Sequence, residues 1–320
     1  MSHASDGSRT FGLRVLAGGT DLAARVSLDF QQKLFRRNYR WPVLASAALA
    51  ADADDLTRWL TAGAARLLGY DVTARALNRI ASEAAEPLFA HAVISGGSPR
   101  TGQEIRDGVA DACEAADCTF LSGPEATTWD RKVTIAVSAT GVVDRRQMMS
   151  RRRFDTGDIV LAVGSDRLWP AMVDPARQVL ARPQAVKRLA KLPVDSATAL
   201  VRPAPVLAGH LQTVLRRYTV KRVVHAMVPV EGDGLAAAAE RLVGPRFEVK
   251  RVRSRRCYSD LLALLGRLGV EADRADEGHR LGIGYLMVVS EPFAEAIARR
   301  LRRLGAATRP FGRLVARKES

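Results

Sequence analysis

Long apolar runs are missing from this chain. No stretch of about 20 apolar residues occurs, which excludes a membrane-spanning helix. Met1 to Thr10 is polar and carries no apolar segment, so no secretory signal is expected. Cysteine is scarce: Cys113, Cys118 and Cys257 are odd in number and lack metal-ligand spacing. That argues against a disulfide framework and fits reduced thiols in a cytoplasm. Aromatic residues make up only 6% of the chain and are not interleaved with its basic clusters. No stacking platform for single-stranded nucleic acid is therefore visible. Acidic residues are outnumbered, 34 against 49 Lys and Arg, which leaves a net charge of +15.

The basic residues are mostly Arg. They cluster at Arg145-Arg146, Arg151 to Arg153, Arg216-Arg217, Arg246 to Arg256 and Arg299 to Arg303. Such a field attracts phosphate, on a small molecule or on nucleic acid. The alternative is an Arg-rich composition spread over solvated helix faces. At 320 residues the chain can bury the core of one large or two ordinary domains.

Helical and strand patterns alternate, which predicts an α/β or α+β architecture of mixed sheets flanked by helices. Thr101-Gly102-Gln103-Glu104 reads as a capping box. Behind it Ile105, Val109, Ala112, Cys113 and Ala116 recur at helical spacing. Cys118 to Leu121 reads as a short buried strand, and Val133 to Val143 as a second strand rich in Val, Thr and Ile. A polar stretch and the Gly157-Asp158 turn then place a domain boundary, giving domains 1–153 and 154–320. Ile159 to Val163 opens the second domain as a strand. Ser259 to Gly269 predicts a capped helix, Gly282 to Val289 a strand, and Ser290-Glu291-Pro292 the start of another helix. Phe293, Ile297, Leu301 and Leu304 form its apolar stripe, Gly305 ends it, and Pro310 to Ala316 reads as a final strand.

The most informative stretch is Gly69 to Gly97. It reads Gly-Tyr-Asp-Val-Thr-Ala-Arg-Ala-Leu-Asn-Arg-Ile from Gly69, then Glu86-Pro87-Leu88-Phe89. It resembles a signature of the aminoimidazole ribonucleotide synthetase (phosphoribosylformylglycinamidine cyclo-ligase) family. Asp71, Asn78 and Glu86 to Phe89 match that signature, while Arg79 and Ala92 stand where the family has Asp. The likeness runs from about Asp29 to Arg317. Gly157 to Ala162 resembles the start of the family's second domain, and Leu281 to Leu286 matches its Met-Gly-Ile-Gly-Met-Val.

Other motifs depart from the family. Its Gly-rich ATP loop ending in Lys is replaced by Ala47 to Asp55, an Ala-rich segment that would prefer helix. Asp52, Asp54 or Asp55 there could hold magnesium. Gly123-Pro124-Glu125-Ala126 resembles Gly-Gly-Glu-Thr and keeps Glu125. Gly164 to Pro170 replaces a polar phosphate loop, leaving Ser165 and Arg167 as anion ligands. His225 keeps the position of the family's His, and Gly232 and Gly234 keep part of a phosphate-tolerant turn, although Asp233 between them repels phosphate.

The resemblance implies a two-domain fold and a homodimer whose N-terminal sheets join. It also implies a reaction in which ATP activates a formamide oxygen, a nitrogen attacks, and phosphate leaves. Such chemistry needs magnesium and cations clamped on the transferring phosphoryl group. Asp71, Glu125 and His225 are the catalytic candidates, with Asp71 and Glu125 also the magnesium ligands. Arg75, Arg79, Ser165, Arg167, Gly232 and Gly234 are the phosphate candidates. Packing positions survive and phosphate-binding positions are mostly replaced. The leading expectation is an impaired or inactive family member that binds a phosphorylated small molecule or a partner. The alternatives are a working ATP-dependent cyclo-ligase with a rebuilt site, using ATP and magnesium, and an Arg-driven nucleic-acid binder.

Overall fold

The computed structural model describes residues 13–16, 25–28, 41–53, 56, 59–60, 64–121, 132–164, 191, 203–218, 220–230, 234–252, 263, 267 and 283–317. Among these, no helix is long and apolar enough to cross a membrane. The chain forms two compact units: Met1–Met148 with Val206–Thr213, and Met149–Pro205 with Val214–Ser320.

In unit 1, β1 (Leu13–Leu16) and β2 (Arg25–Leu28) pair antiparallel. Strands β3 (Pro42–Ala50), β4 (Glu86–Ser95), β5 (Thr119–Leu121) and β6 (Thr134–Asp144) form a sheet in the order β3-β6-β4-β5. Only β4 and β5 run parallel, and the crossover that a parallel pair requires is α2 (Pro99–Ala115). Helix α1 (Ala65–Ser82) packs on α2 and on the sheet. It is buried almost all round, and Leu68, Val72, Leu77 and Ile80 are at most 1% exposed.

The α1–α2 crossing depends on two glycines. A Cβ on Gly69 would lie 2.0 Å from the Ile105 carbonyl oxygen, and one on Gly108 would lie 1.8 Å from that of Arg66. The leading Gly of the signature is therefore a helix-packing residue. Arg66 also donates to both Asp111 oxygens, at 2.7 and 2.8 Å, and holds that carboxyl below its usual range.

Three local expectations need correction. The Ala-rich start of the replaced loop is strand, because β3 pairs antiparallel with β6 from Pro42 to Ala50. Sheet pairing overrides the helical preference of Ala, and the alternation between exposed and half-buried side chains follows the pleat. The α2 cap lies three residues earlier than Thr101. Ser98 Oγ accepts the Thr101 N–H at 3.1 Å, Pro99 fills the first turn, and Glu104 pairs instead with Arg100. Cys118 to Leu121 does form a strand, β5 from Thr119, but its three residues are half-buried rather than buried. The expected strand at Val133 to Val143 is β6, and the apolar stripe of α2 is buried as predicted.

In unit 2, β7 (Ile159–Gly164), β8 (Val224–Pro229), β9 (Phe247–Arg251), β10 (Ile283–Val289) and β11 (Thr308–Ala316) form an antiparallel sheet in the order β8-β10-β7-β11-β9. Helix α3 (Ala208–Arg217), which belongs to unit 1 as far as Thr213, precedes β8, α4 (Gly234–Val243) follows it, and α5 (Ala294–Arg303) precedes β11. Val160, Ala162, Leu286 and Val288 point into a core with Leu235, Ala238 and Leu242 of α4. The alternate set, Leu161, Val163, Tyr285 and Met287, is buried too, and α5 packs on β7 and β11 with Ile297 and Leu301. Burial of both faces explains why β7 and β10 read as continuous apolar runs. Leu304 drops out of the α5 stripe: it lies beyond the last helical turn and is 37% exposed. The helix predicted from Ser259 lies outside the described residues.

Candidate functional site

The signature residues of unit 1 point mostly inward. Asp71 is fully buried, with Oδ2 3.3 Å from Nε of Arg75 one turn along α1. Asn78 Oδ1 accepts the N–H of Leu207 at 2.8 Å. Gln212 Nε2 donates to the Ala84 and Ala85 carbonyls at 3.1 and 2.7 Å. Together they tie residues 206–213 to the turn after α1, where Ala84 has a positive φ of 65°. Glu86 is buried at the start of β4, and its carbonyl oxygen would lie 2.6 Å from a Cβ on Gly141. Each of these residues has a packing or pairing role in the scaffold.

Arg79 is placed differently. It is half-buried, and Nη1 donates to the Ala48 carbonyl at 3.3 Å. Ala48 belongs to the segment that replaces the expected ATP loop. The structure thus brings Arg79 to that segment and turns Arg75 towards Asp71. Asp52, farther along the segment, is exposed.

In unit 2, Gly234 alone of the remaining phosphate candidates is among the described residues, beyond the sheet end where β7, β8 and β10 meet. Gly164 pairs with Ile283, Pro229 pairs with Tyr285, and Val230 N–H donates to the Gly284 carbonyl at 2.9 Å. Gly234 is the first residue of α4. Ser165, Arg167, Gly232, Glu125, Asp54 and Asp55 lie outside the described residues. Among the described residues, no three His, Cys, Asp or Glu side chains cluster as metal ligands.

His225 stands at the far end of β8 from Pro229, about 13 Å away along an extended strand. Its Nδ1 lies 2.9 Å from Asp158 Oδ2, and its Nε2 lies 3.1 Å from Ser290 Oγ. Phe154 stacks on the imidazole at 6.4 Å between centroids. Gly157 adopts a φ of 101°, which turns the chain just before Asp158. In the sequence Asp158 reads only as a turn residue and Ser290 as a helix start. Separations of 67 and 65 residues from His225 leave no local spacing to reveal the group.

Much of the Arg charge is structural. Arg151 Nε donates to the Leu242 carbonyl at 3.0 Å, and its Nη2 to the Arg241 carbonyl, so a cation closes the C-terminal end of α4. Arg302 bonds the Thr308 carbonyl and Glu295, and Arg313 bonds Glu291. Burial, and then the neighbouring Arg222, lower Arg153 below its usual range.

Comparison with known proteins places these features. Residues 42–143 match a domain described as AIR synthase related protein, N-terminal domain. The chain is similar to phosphoribosylformylglycinamidine cyclo-ligase of Desulfitobacterium hafniense, 26% identical over 245 residues, or 74% of this chain and 71% of that protein. Thiamine-monophosphate kinase from Stenotrophomonas maltophilia aligns with a TM-score of 0.55 and 17% identity over 95% of this chain and 89% of that one. T. maritima PurL complexed with AMPPCP aligns with a TM-score of 0.57 and 12% identity, over 86% of this chain and 40% of that one. At such identities the structures establish the fold.

Proposed function

We propose, taking the chain as a divergent member of the AIR synthase related family, that it binds ATP or another phosphorylated small molecule with little or no cyclo-ligase turnover. The observation that carries this reading is Arg79. A carboxylate suited to magnesium is replaced by a guanidinium, and that guanidinium reaches the Ala48 carbonyl on the altered loop segment. Arg presents planar donors to phosphate and needs no metal to do so. Ser165, Arg167, Gly232 and Gly234 would supply further anion contacts, and Glu125 is the remaining candidate for magnesium. Loss of the loop glycines and Lys removes the parts that hold a transferring phosphoryl group. That PurL has been seen with AMPPCP supports a nucleotide as ligand for this fold.

Calorimetry with ATP, with and without chelator, tests the reading. Metal-independent binding by the wild type, lost in Arg79→Ala, is the expected outcome. Binding that requires magnesium and survives in Arg79→Ala favours the second reading, an active ATP-dependent cyclo-ligase with a rebuilt site. That alternative draws on the cyclo-ligase likeness over about three quarters of the chain.

The chain is also proposed to form a homodimer through the outward face of the unit 1 sheet. On that face Leu44 and Val93 are 53% and 52% exposed. Between them lie the small residues Ser46, Ala48, Ser138 and Thr140. Light scattering should give a dimer at micromolar concentration and a monomer for Leu44→Glu with Val93→Glu. A monomeric wild type would refute the assembly.

A further inference from the structure

Asp158, His225 and Ser290 form a hydrogen-bonded chain, whose polarity follows from taking Asp158 as a carboxylate. An ionised carboxylate only accepts, so Nδ1–H of His225 donates to Asp158 Oδ2. The neutral ring then carries its lone pair on Nε2, and Ser290 Oγ–H donates to it. That is the order in which a hydroxyl nucleophile, a general base and an orienting carboxylate act together.

The local structure holds each member in place. Asp158 is 5% exposed, and its Oδ2 also accepts the Asp155 N–H at 3.0 Å. Its backbone carbonyl accepts the Leu314 N–H. His225 is the extra residue of a β-bulge: Val288 pairs with Ala226, but Val289 pairs with Val224. Bulges re-aim side chains and recur beside active sites. Ser290 follows β10 and precedes the short turn Glu291–Phe293 that leads into α5. A Ser in that position ordinarily caps the turn. This one makes no side-chain cap bond and gives its hydroxyl to His225 instead. Its N–H is fixed to the Val223 carbonyl at 2.9 Å, and it is half-buried where its two partners are buried.

The residues preceding the Val223 anchor are basic. Lys221 and Arg222 immediately precede the Val223 anchor of Ser290, and Lys221 Nζ lies 5.2 Å from the Phe293 ring centroid. The nearest carboxylate in sequence, Glu291, is bonded to Arg313 at 2.5 Å. Tyr218 packs edge-on to Phe293 and adds an apolar wall.

We propose that Ser290 is a nucleophile for small anionic carboxylic esters, with His225 as general base and Asp158 as its positioning residue. Ser290 Oγ bonds to the ester carbonyl carbon while its proton passes to His225 Nε2. The tetrahedral adduct collapses, the bond to the alcohol oxygen breaks, and the alcohol leaves with the proton from His225. Water, deprotonated by His225, then attacks the acyl-serine. The carboxylic acid is released and the Ser290 hydroxyl is restored. This activity is independent of nucleotide binding.

The test uses the full chain. A fluorophosphonate probe, with peptide mapping by mass spectrometry, should mark Ser290 in the wild type and leave Ser290→Ala unmarked. Hydrolysis of mono-p-nitrophenyl succinate should exceed that of p-nitrophenyl acetate. It should fall on the order of a hundredfold or more in His225→Asn. Because His225→Asn could unfold the chain, Ser290→Cys gives a second reading: its thiol should alkylate with iodoacetamide at least about tenfold faster than a free cysteine, as expected of a thiol beside a base. No adduct at Ser290 in folded wild type, or hydrolysis that persists in Ser290→Ala, overturns the proposal. So does a Ser290→Ala protein that only melts earlier while the wild type never labels, since the chain would then be a structural network.

Discussion

Gly108→Ala should lower stability by at least about 3 kcal/mol, at the upper end of overpacking effects. For a chain of this size that is a fall in Tm of roughly 5 °C. The added methyl would stand 1.8 Å from the Arg66 carbonyl oxygen, which is backbone and cannot swing aside. The two helices must part, and the burial of Leu68, Val72, Ile105 and Val109 loosens with them. Gly209→Ala is the control. Nothing lies within 4 Å of its added Cβ, and its position in α3 favours Ala, so that variant should be neutral or slightly stabilised. Differential scanning calorimetry on both variants checks the pair; equal melting temperatures would contradict the close crossing.

Arg75→Met should cost about 3–5 kcal/mol, as expected when one member of a buried ion pair is removed. Asp71 is wholly buried and its carboxylate faces Arg75 at 3.3 Å, so the variant leaves a charge in a dry helix interface. Adding Asp71→Leu should recover much of the loss, because the buried charge goes too. Arg79→Ala, four residues along the same helix and half-buried, should cost less than Arg75→Met. Urea unfolding of the four proteins measures this. A stable Arg75→Met would mean that Asp71 is not held in the scaffold by that pair.

The fold was legible where one physical signal dominated. Val133 to Val143 is dense in β-branched residues, and β6 follows within a residue. The apolar stripes of α2 and α5 repeat at helical spacing and are buried, apart from half-buried Phe293 before α5 and Leu304 past its end. Reading failed where two signals competed. Ala47 to Asp55 favours helix locally, but its start as far as Ala50 is recruited as strand by pairing with β6. Thr101 and Glu104 form a capping pattern, yet Ser98 followed by Pro99 captures the cap.

The candidate site divides in the same way. Arg79 could be singled out because it breaks a pattern. The inward pairing of Asp71 with Arg75 could not be read from spacing alone, since residues four apart also share solvent-exposed faces. The bond from Asn78 to Leu207 spans 129 residues, and the Asp158–His225–Ser290 group is assembled by a bulge and two sheet ends. Neither leaves a local trace.

We propose that this chain keeps the fold of AIR synthase related proteins and is impaired in phosphoryl transfer. The most direct measurement is turnover of formylglycinamidine ribonucleotide with ATP and magnesium, followed as aminoimidazole ribonucleotide formed. The account predicts no product above the uncatalysed background. Turnover near about 10 per second, a typical enzyme rate, would contradict it.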